Sequence, residues 1–271
     1  MNLRRVLVGT AAAVASAAGL VLGQTSAFAS TYLSGSRGYD LSYPQCGASY
    51  PSGAFGIVGV NAGYPFTYYN SCFSAQWAYA TQTASPSVYI NTGYDPSYTA
   101  VDGRHTLTEC ANLSTSISGT TGQKQAWAVG CSEAERSIGW ASCQSATDPG
   151  TCTTTITPAA WWLDVETGNS WCGQPSTNCT DLSLNQYTIQ AILDTLHSRS
   201  TSPVGVYSTG YQWSSIVGGN QITGVSADWL ATAQRSAKRA RSYCASTGFT
   251  GAAPVWLVQF LPGSYDADYA C

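Results

Sequence analysis

Charge is scarce in this chain of 271 residues: Lys, Arg, Asp and Glu make up 9%, against 44% hydrophobic and 12% aromatic residues. Histidine is scarcer still, with only His105 and His197. No two cysteines form a C-x-x-C pair, and neither histidine has ligand-like spacing to the other or to a cysteine, so no metal site is expected. A Ser-His-Asp or Cys-His nucleophile would have to recruit one of those two histidines. His197 falls on an expected amphipathic helix, where a surface position explains it. No cofactor is expected. Beyond the first segment, no apolar run could span a bilayer.

That first segment has the composition of an export signal. Arg4 and Arg5 precede the apolar run 6–22, and Ala27-Phe28-Ala29 offers small residues at cleavage offsets. A membrane anchor is the other reading, but the run is rich in Ala, Gly, Thr and Ser and ends in a processable site. Residues 1–29 are therefore expected to be removed, leaving 30–271 as one secreted domain, since no low-complexity linker divides the chain. Removal leaves nine Lys and Arg against fourteen Asp and Glu, a formal charge of −5, which disfavours nucleic acid as a partner. The one basic cluster, Arg235, Lys238, Arg239 and Arg241, reads as a solvated helix flank.

Ten cysteines in an exported chain favour up to five disulfides, with the pairing open. Short apolar strands are expected at 38–41, 55–61, 87–91, 160–166, 203–208, 228–231, 254–260 and 266–269. Helices fit 70–83, 132–145, 185–198, 210–217 and 233–246. Alternation of this kind implies an α/β fold: a single TIM-like (β/α) barrel, irregular in its last third, with disulfide-stapled loop insertions. Two stretches break the alternation, 94–125 and 167–181, and both follow the C-terminal end of a strand, the face on which a parallel barrel carries function.

In a chain so poor in carboxylates, Asp164 and Glu166 interrupt the apolar run Trp161-Trp162-Leu163-Asp164-Val165-Glu166. Alternate side chains of a strand share a face, so the two acids point the same way with Cα atoms ~6.6 Å apart, and Trp162 joins them. Leu163 and Val165 then face the helices, and the acids face the barrel axis near its C-terminal mouth. Burial without a cation raises a carboxyl pKa, and a second carboxylate raises it further. A protonated carboxyl beside an ionised one, among aromatic rings, is what cleavage of a glycosidic bond requires. A purely structural network, tied to a buried Tyr, Trp N–H or amide, is the other reading of such a pair.

Five segments in order resemble glycoside hydrolase family 25, the lysozymes with an incomplete β/α barrel. GYDLSYPQ, starting at Gly38, is similar to that family's D-x-S-x-x-Q opening, and WWLDVE to its D-x-E strand. VGVYSTGYQW from Val204, DWLA from Asp228, and VWLVQF followed by YDAD resemble its later strands. The resemblance implies Glu166 as general acid/base and Asp164 as the partner that steadies charge on the substrate's own N-acetyl group, with Asp40 and Asp266 lining the same mouth. It further implies that Gln259, Tyr207, Trp229 and Trp162 help shape a sugar pocket for a cell-wall polysaccharide of the peptidoglycan type. The chain departs from the family at Thr232, where an aromatic residue is usual, and at Asp268, where D-x-N ends in Asn. A catalytically silent barrel that binds glycan or another surface ligand is the alternative. Oligomeric state is not legible.

Overall fold

The computed structural model describes residues 29–63, 65, 68–146, 152, 155–251 and 253–271; the expected export segment, save Ala29, lies outside them. Eight strands close in sequence order into a barrel: β1 (Arg37–Leu41), β2 (Gly56–Gly59), β3 (Ser87–Asn91), β4 (Trp161–Asp164), β5 (Val204–Ser208), β6 (Asp228–Ala231), β7 (Val255–Phe260) and β8 (Ala267–Ala270). The pairings from β1 through β7 are parallel. β8 closes the ring antiparallel to both β7 and β1. Helices α1 (Phe73–Ala80), α2 (Thr108–Ser114), α3 (Thr121–Cys143), α4 (Leu182–Arg199), α5 (Gly210–Val217) and α6 (Ala237–Arg241) accompany the strands. The expected irregularity of the last third is present. α6 is a short helix running into a 3-10 turn at Ser242–Ala245, and β7 turns directly into β8.

The alternation in β4 sorts its side chains as expected. Trp161, Leu163 and Val165 join the layer between barrel and helices, with Ile189, Ile192 and Leu196 of α4. Trp162 faces the axis among Tyr32, Phe55, Trp229, Trp256 and Leu257. Gly205 makes room for it, because a Cβ there would run into the Trp162 ring. Tyr32, ahead of β1, closes the lower end of the barrel: its hydroxyl lies 2.6 Å from Ser87 Oγ and accepts from Trp162 Nε1 at 2.9 Å.

The stretch 94–125 is less irregular than its composition suggests. It holds α2 and the start of α3, which begins eleven residues before the expected 132. Thr120 caps α3: Gln123 N donates to Thr120 Oγ1 at 3.3 Å, while Gln123 Oε1 accepts from Thr120 N at 2.9 Å. α3 and α4 pack closely enough that a Cβ on Gly130 would meet the Thr188 carbonyl.

All ten cysteines are paired, as Cys46–Cys72, Cys110–Cys131, Cys143–Cys152, Cys172–Cys179 and Cys244–Cys271. The first joins the loops after β1 and β2, the second ties α2 to α3, and the fourth closes the loop after β4. The last anchors the C-terminal residue to the turn after α6. The basic flank Arg235, Lys238, Arg239 and Arg241 is exposed, as a solvated helix face requires. Among the described residues no helix is long and apolar enough to cross a membrane.

Candidate active site

At the C-terminal mouth of the barrel lies a hollow of about 130 Å³, lined by Asp40, Tyr89, Asp164, Glu166, Tyr207, Trp229, Gln259 and Asp266. Seven of the eight residues expected at the site converge there from β1, β4, β5, β6, β7 and the turn into β8. The eighth does not. Trp162 is fully buried one pleat below, edge-on to Trp229 with ring centroids 5.6 Å apart, and its indole N–H is spent on Tyr32. It supports the floor of the hollow rather than lining it. Neither interrupted stretch, 94–125 or 167–181, contributes to the lining.

Asp164 ends β4 in register with Asn91 of β3 and Tyr207 of β5. Its Oδ2 accepts from Asn91 Nδ2 at 2.9 Å, whereas the buried Oδ1 meets no donor. Burial, and then the charges of Glu166 and Asp40, push this carboxyl well above the ordinary range. Glu166 lies just beyond the strand, half-buried. Its contact with Gln212 Nε2 of α5 is long, at 3.4 Å, while Gln212 Oε1 is held by Thr167 N at 2.7 Å. Its pKa is raised as well, chiefly by burial, with Gln212 working against the rise and Asp266 adding to it.

The opposite wall repeats the pattern. Asp40 Oδ2 accepts from Gln259 Nε2 at 3.2 Å, and burial with the nearby Asp266 charge pushes Asp40 up to about 7. Asp266 is itself raised by burial. Tyr207 donates to Gln259 Oε1 at 2.8 Å and stands edge-on to Trp229, ring centroids 4.6 Å apart. Trp229 Nε1 donates to Asp268 Oδ1 at 2.8 Å. No Lys, Arg or His is among the lining residues, and neither ion pair of the described residues, His105–Asp102 or Arg199–Glu135, involves one of these acids. With no cation to neutralise them, every acid of the lining is pushed above its ordinary value. Among the described residues no group of three or more His, Cys, Asp or Glu is arranged to hold a metal ion.

Four contributors were not singled out from the sequence. Tyr89 and Asn91 share the inward face of β3 with Ser87, and the alternation of SVYIN carries that signal. Gln212 sits two residues into α5, with nothing in its local sequence to mark it. Asp268 stands out only as the residue replacing Asn in the family ending.

No family model matches the chain, and neither does any curated protein. Among solved structures, the fold is similar to that of a muramidase from Trichobolus zukalii at 16% identity, with a TM-score of 0.51, over 87% of this chain and 93% of that one. A muramidase from Acremonium alcalophilum aligns at 18% identity and TM-score 0.47, over 87% and 93% of the two chains. A family GH25 lysozyme from Aspergillus fumigatus aligns at 14% and 0.46, also over 87% and 93%. Likeness at this level of identity is a likeness of fold.

Proposed function

We propose that the chain is a secreted glycoside hydrolase of the family 25 lysozyme type, cleaving β-1,4 bonds of an N-acetylated wall glycan, most specifically the MurNAc–GlcNAc bond of peptidoglycan. The observation that carries this reading is the meeting of Asp40, Asp164, Glu166 and Asp266 around one open, cation-free hollow walled by Tyr89, Tyr207 and Trp229. Carboxyls whose proton affinity is raised by burial, Glu166 among them, supply the acid that a glycosidic leaving oxygen needs, and aromatic rings suit the apolar faces of pyranoses. The barrel likeness to the Trichobolus zukalii muramidase supports the same reading. Export with loss of residues 1–29 belongs to the proposal and agrees with the five disulfides.

In the proposed reaction Glu166, at the rim and only loosely held by Gln212, hands its proton to the leaving oxygen. The carboxyl of Asp164, which lines the hollow, takes the N–H of the substrate's N-acetyl group. Hydrogen bonding to the ionised form lowers a carboxyl pKa, so the arriving amide favours ionised Asp164, whose charge in turn favours the protonated form of Glu166. The acetyl oxygen attacks the anomeric carbon as the C–O bond breaks, and Asp164 steadies the oxazolinium that forms. Water then opens that ring, with Glu166, now ionised, taking a proton from it.

A second reading, a barrel that binds glycan without cleaving it, is favoured by one observation. The hollow, at about 130 Å³, is smaller than the roughly 300 Å³ at which ligand sites usually begin. Release of reducing ends from purified peptidoglycan by the mature protein separates the two. Glu166→Gln is expected to lower turnover by about 10²–10⁴-fold, with Asp164→Asn also strongly impaired. If wild type and both variants release equally little while still sedimenting with the wall, the binding reading holds.

A further inference from the structure

Asp268 lies behind the lining and is completely buried. It sits in β8, in register with Gln259 of β7 on one side and Gly38 of β1 on the other. One oxygen is accounted for by the Trp229 indole at 2.8 Å. The other, Oδ2, meets no hydrogen-bond donor. Because Asp268 stands opposite Gly38 in the β1/β8 pairing, its diagonal neighbour on the inward face of β1 is Asp40, two residues on, and the two side chains interact. Two carboxylates facing each other without a donor between them are repulsive and unsatisfied; a single proton between them makes a strong charge-assisted hydrogen bond. The groups facing Asp268 offer it no positive charge. From β1 comes Asp40, from β6 the Trp229 N–H, and from the turn into β8 the charge of Asp266. Tyr207 of β5 and Tyr32 at the barrel floor are neutral and sense its charge from further off. None of these is a cation.

The two acids are not equivalent. Asp40 is partly open to the hollow and receives Gln259 Nε2 at 3.2 Å, which favours its ionised form. Asp268 has no solvent and a single donor. We infer that Asp268 is a positioning residue of the mouth: it keeps a proton and donates it to Asp40, while its other oxygen holds the Trp229 indole in place. Through these two bonds it fixes the carboxyl on one wall of the hollow and the ring on another. Asp40 is thereby presented to the hollow as an oriented acceptor, without a second negative charge behind it.

Infrared difference spectroscopy tests the protonation without recourse to activity. At neutral pH, wild type minus Asp268→Asn is expected to contain the carbonyl stretch of an un-ionised carboxyl. A carboxylate stretch in its place overturns the inference. The kinetic test rests on the hydrolase reading. Asp268→Leu, which can neither donate to Asp40 nor accept from Trp229, should lose about tenfold or more in kcat/KM on peptidoglycan. Asp268→Asn, which can do both, should recover most of that loss and carry the alkaline limb of the pH–rate profile to higher pH. Asparagine no better than leucine, in a variant that melts like wild type, overturns the inference. If wild type itself releases no reducing ends, it is the hydrolase reading that falls, and the infrared result still decides the state of Asp268.

Discussion

The two ends of the barrel interior are built from the same alternating strands and treat polar groups in opposite ways. At the lower end Tyr32, Ser87 and Trp162 form a closed network in which the Trp162 N–H and the tyrosine hydroxyl both find partners. At the mouth, by contrast, Asp164 Oδ1 and Asp268 Oδ2 are buried and face no donor. Satisfied polar groups in an aromatic core hold a fold together, whereas buried acids short of donors cost stability and are retained where chemistry uses them. The lower end is thus the source of rigidity and the mouth the place where it is spent on chemistry.

The contrast can be broken from either end. Trp162→Ala removes a fully buried indole and one of the two partners of the Tyr32 hydroxyl, so urea unfolding should register a loss of about 3–5 kcal/mol. A loss under about 1 kcal/mol would mean that the lower end is not the anchor. Tyr32→Phe keeps the ring but leaves the Trp162 N–H without its acceptor, for an expected loss of about 1–3 kcal/mol in the same assay.

The mouth should show itself through pH. Its acids titrate above their unfolded values, Asp40 at about 7, so the folded state binds more protons than the unfolded one. Their contribution is greatest below the unfolded carboxyl pKa of about 4 and is lost as pH rises toward 7, at about 1.4 kcal/mol for each tenfold gain in proton affinity that a single group makes on folding. The melting temperature should accordingly fall between mildly acidic and neutral pH, and Asp40→Asn should flatten that slope. An unchanged slope in the variant would remove Asp40 from the set. The smallest expected change is in the stability of Glu166→Gln, which stays within about 0.5 kcal/mol of wild type or rises above it, because no strong contact is lost. A large destabilisation there would make Glu166 a structural residue.

Much of this was legible beforehand, for reasons that are local. Strands β3 and β6 and helix α5 coincide with the expected 87–91, 228–231 and 210–217, because apolar alternation and amphipathic spacing are written into consecutive residues. The same local signal assigned Asp164 to the inward face. It failed where the cue was polar: α2 and the front of α3 were concealed in a Thr-, Ser- and Gly-rich stretch, although T-x-x-Q at Thr120–Gln123 is a capping box. It failed also for Trp162, whose face was correct and whose depth was not. Period two fixes the side of a strand, but height along the axis depends on the register between strands.

The sequence by itself determined that acids would enter the interior of a barrel on one strand, since side-chain alternation and the scarcity of charge leave no other placement for Asp164 and Glu166. Only the tertiary structure decided which groups surround them. Asp40 and Asp266 lie far away along the chain on either side, and closure of the strand ring is what brings them within reach of β4. The cysteine pairing, the Tyr32 floor and the contact of Asp268 with Asp40 belong to the same class. Each depends on distances across the barrel, which no run of neighbouring residues encodes.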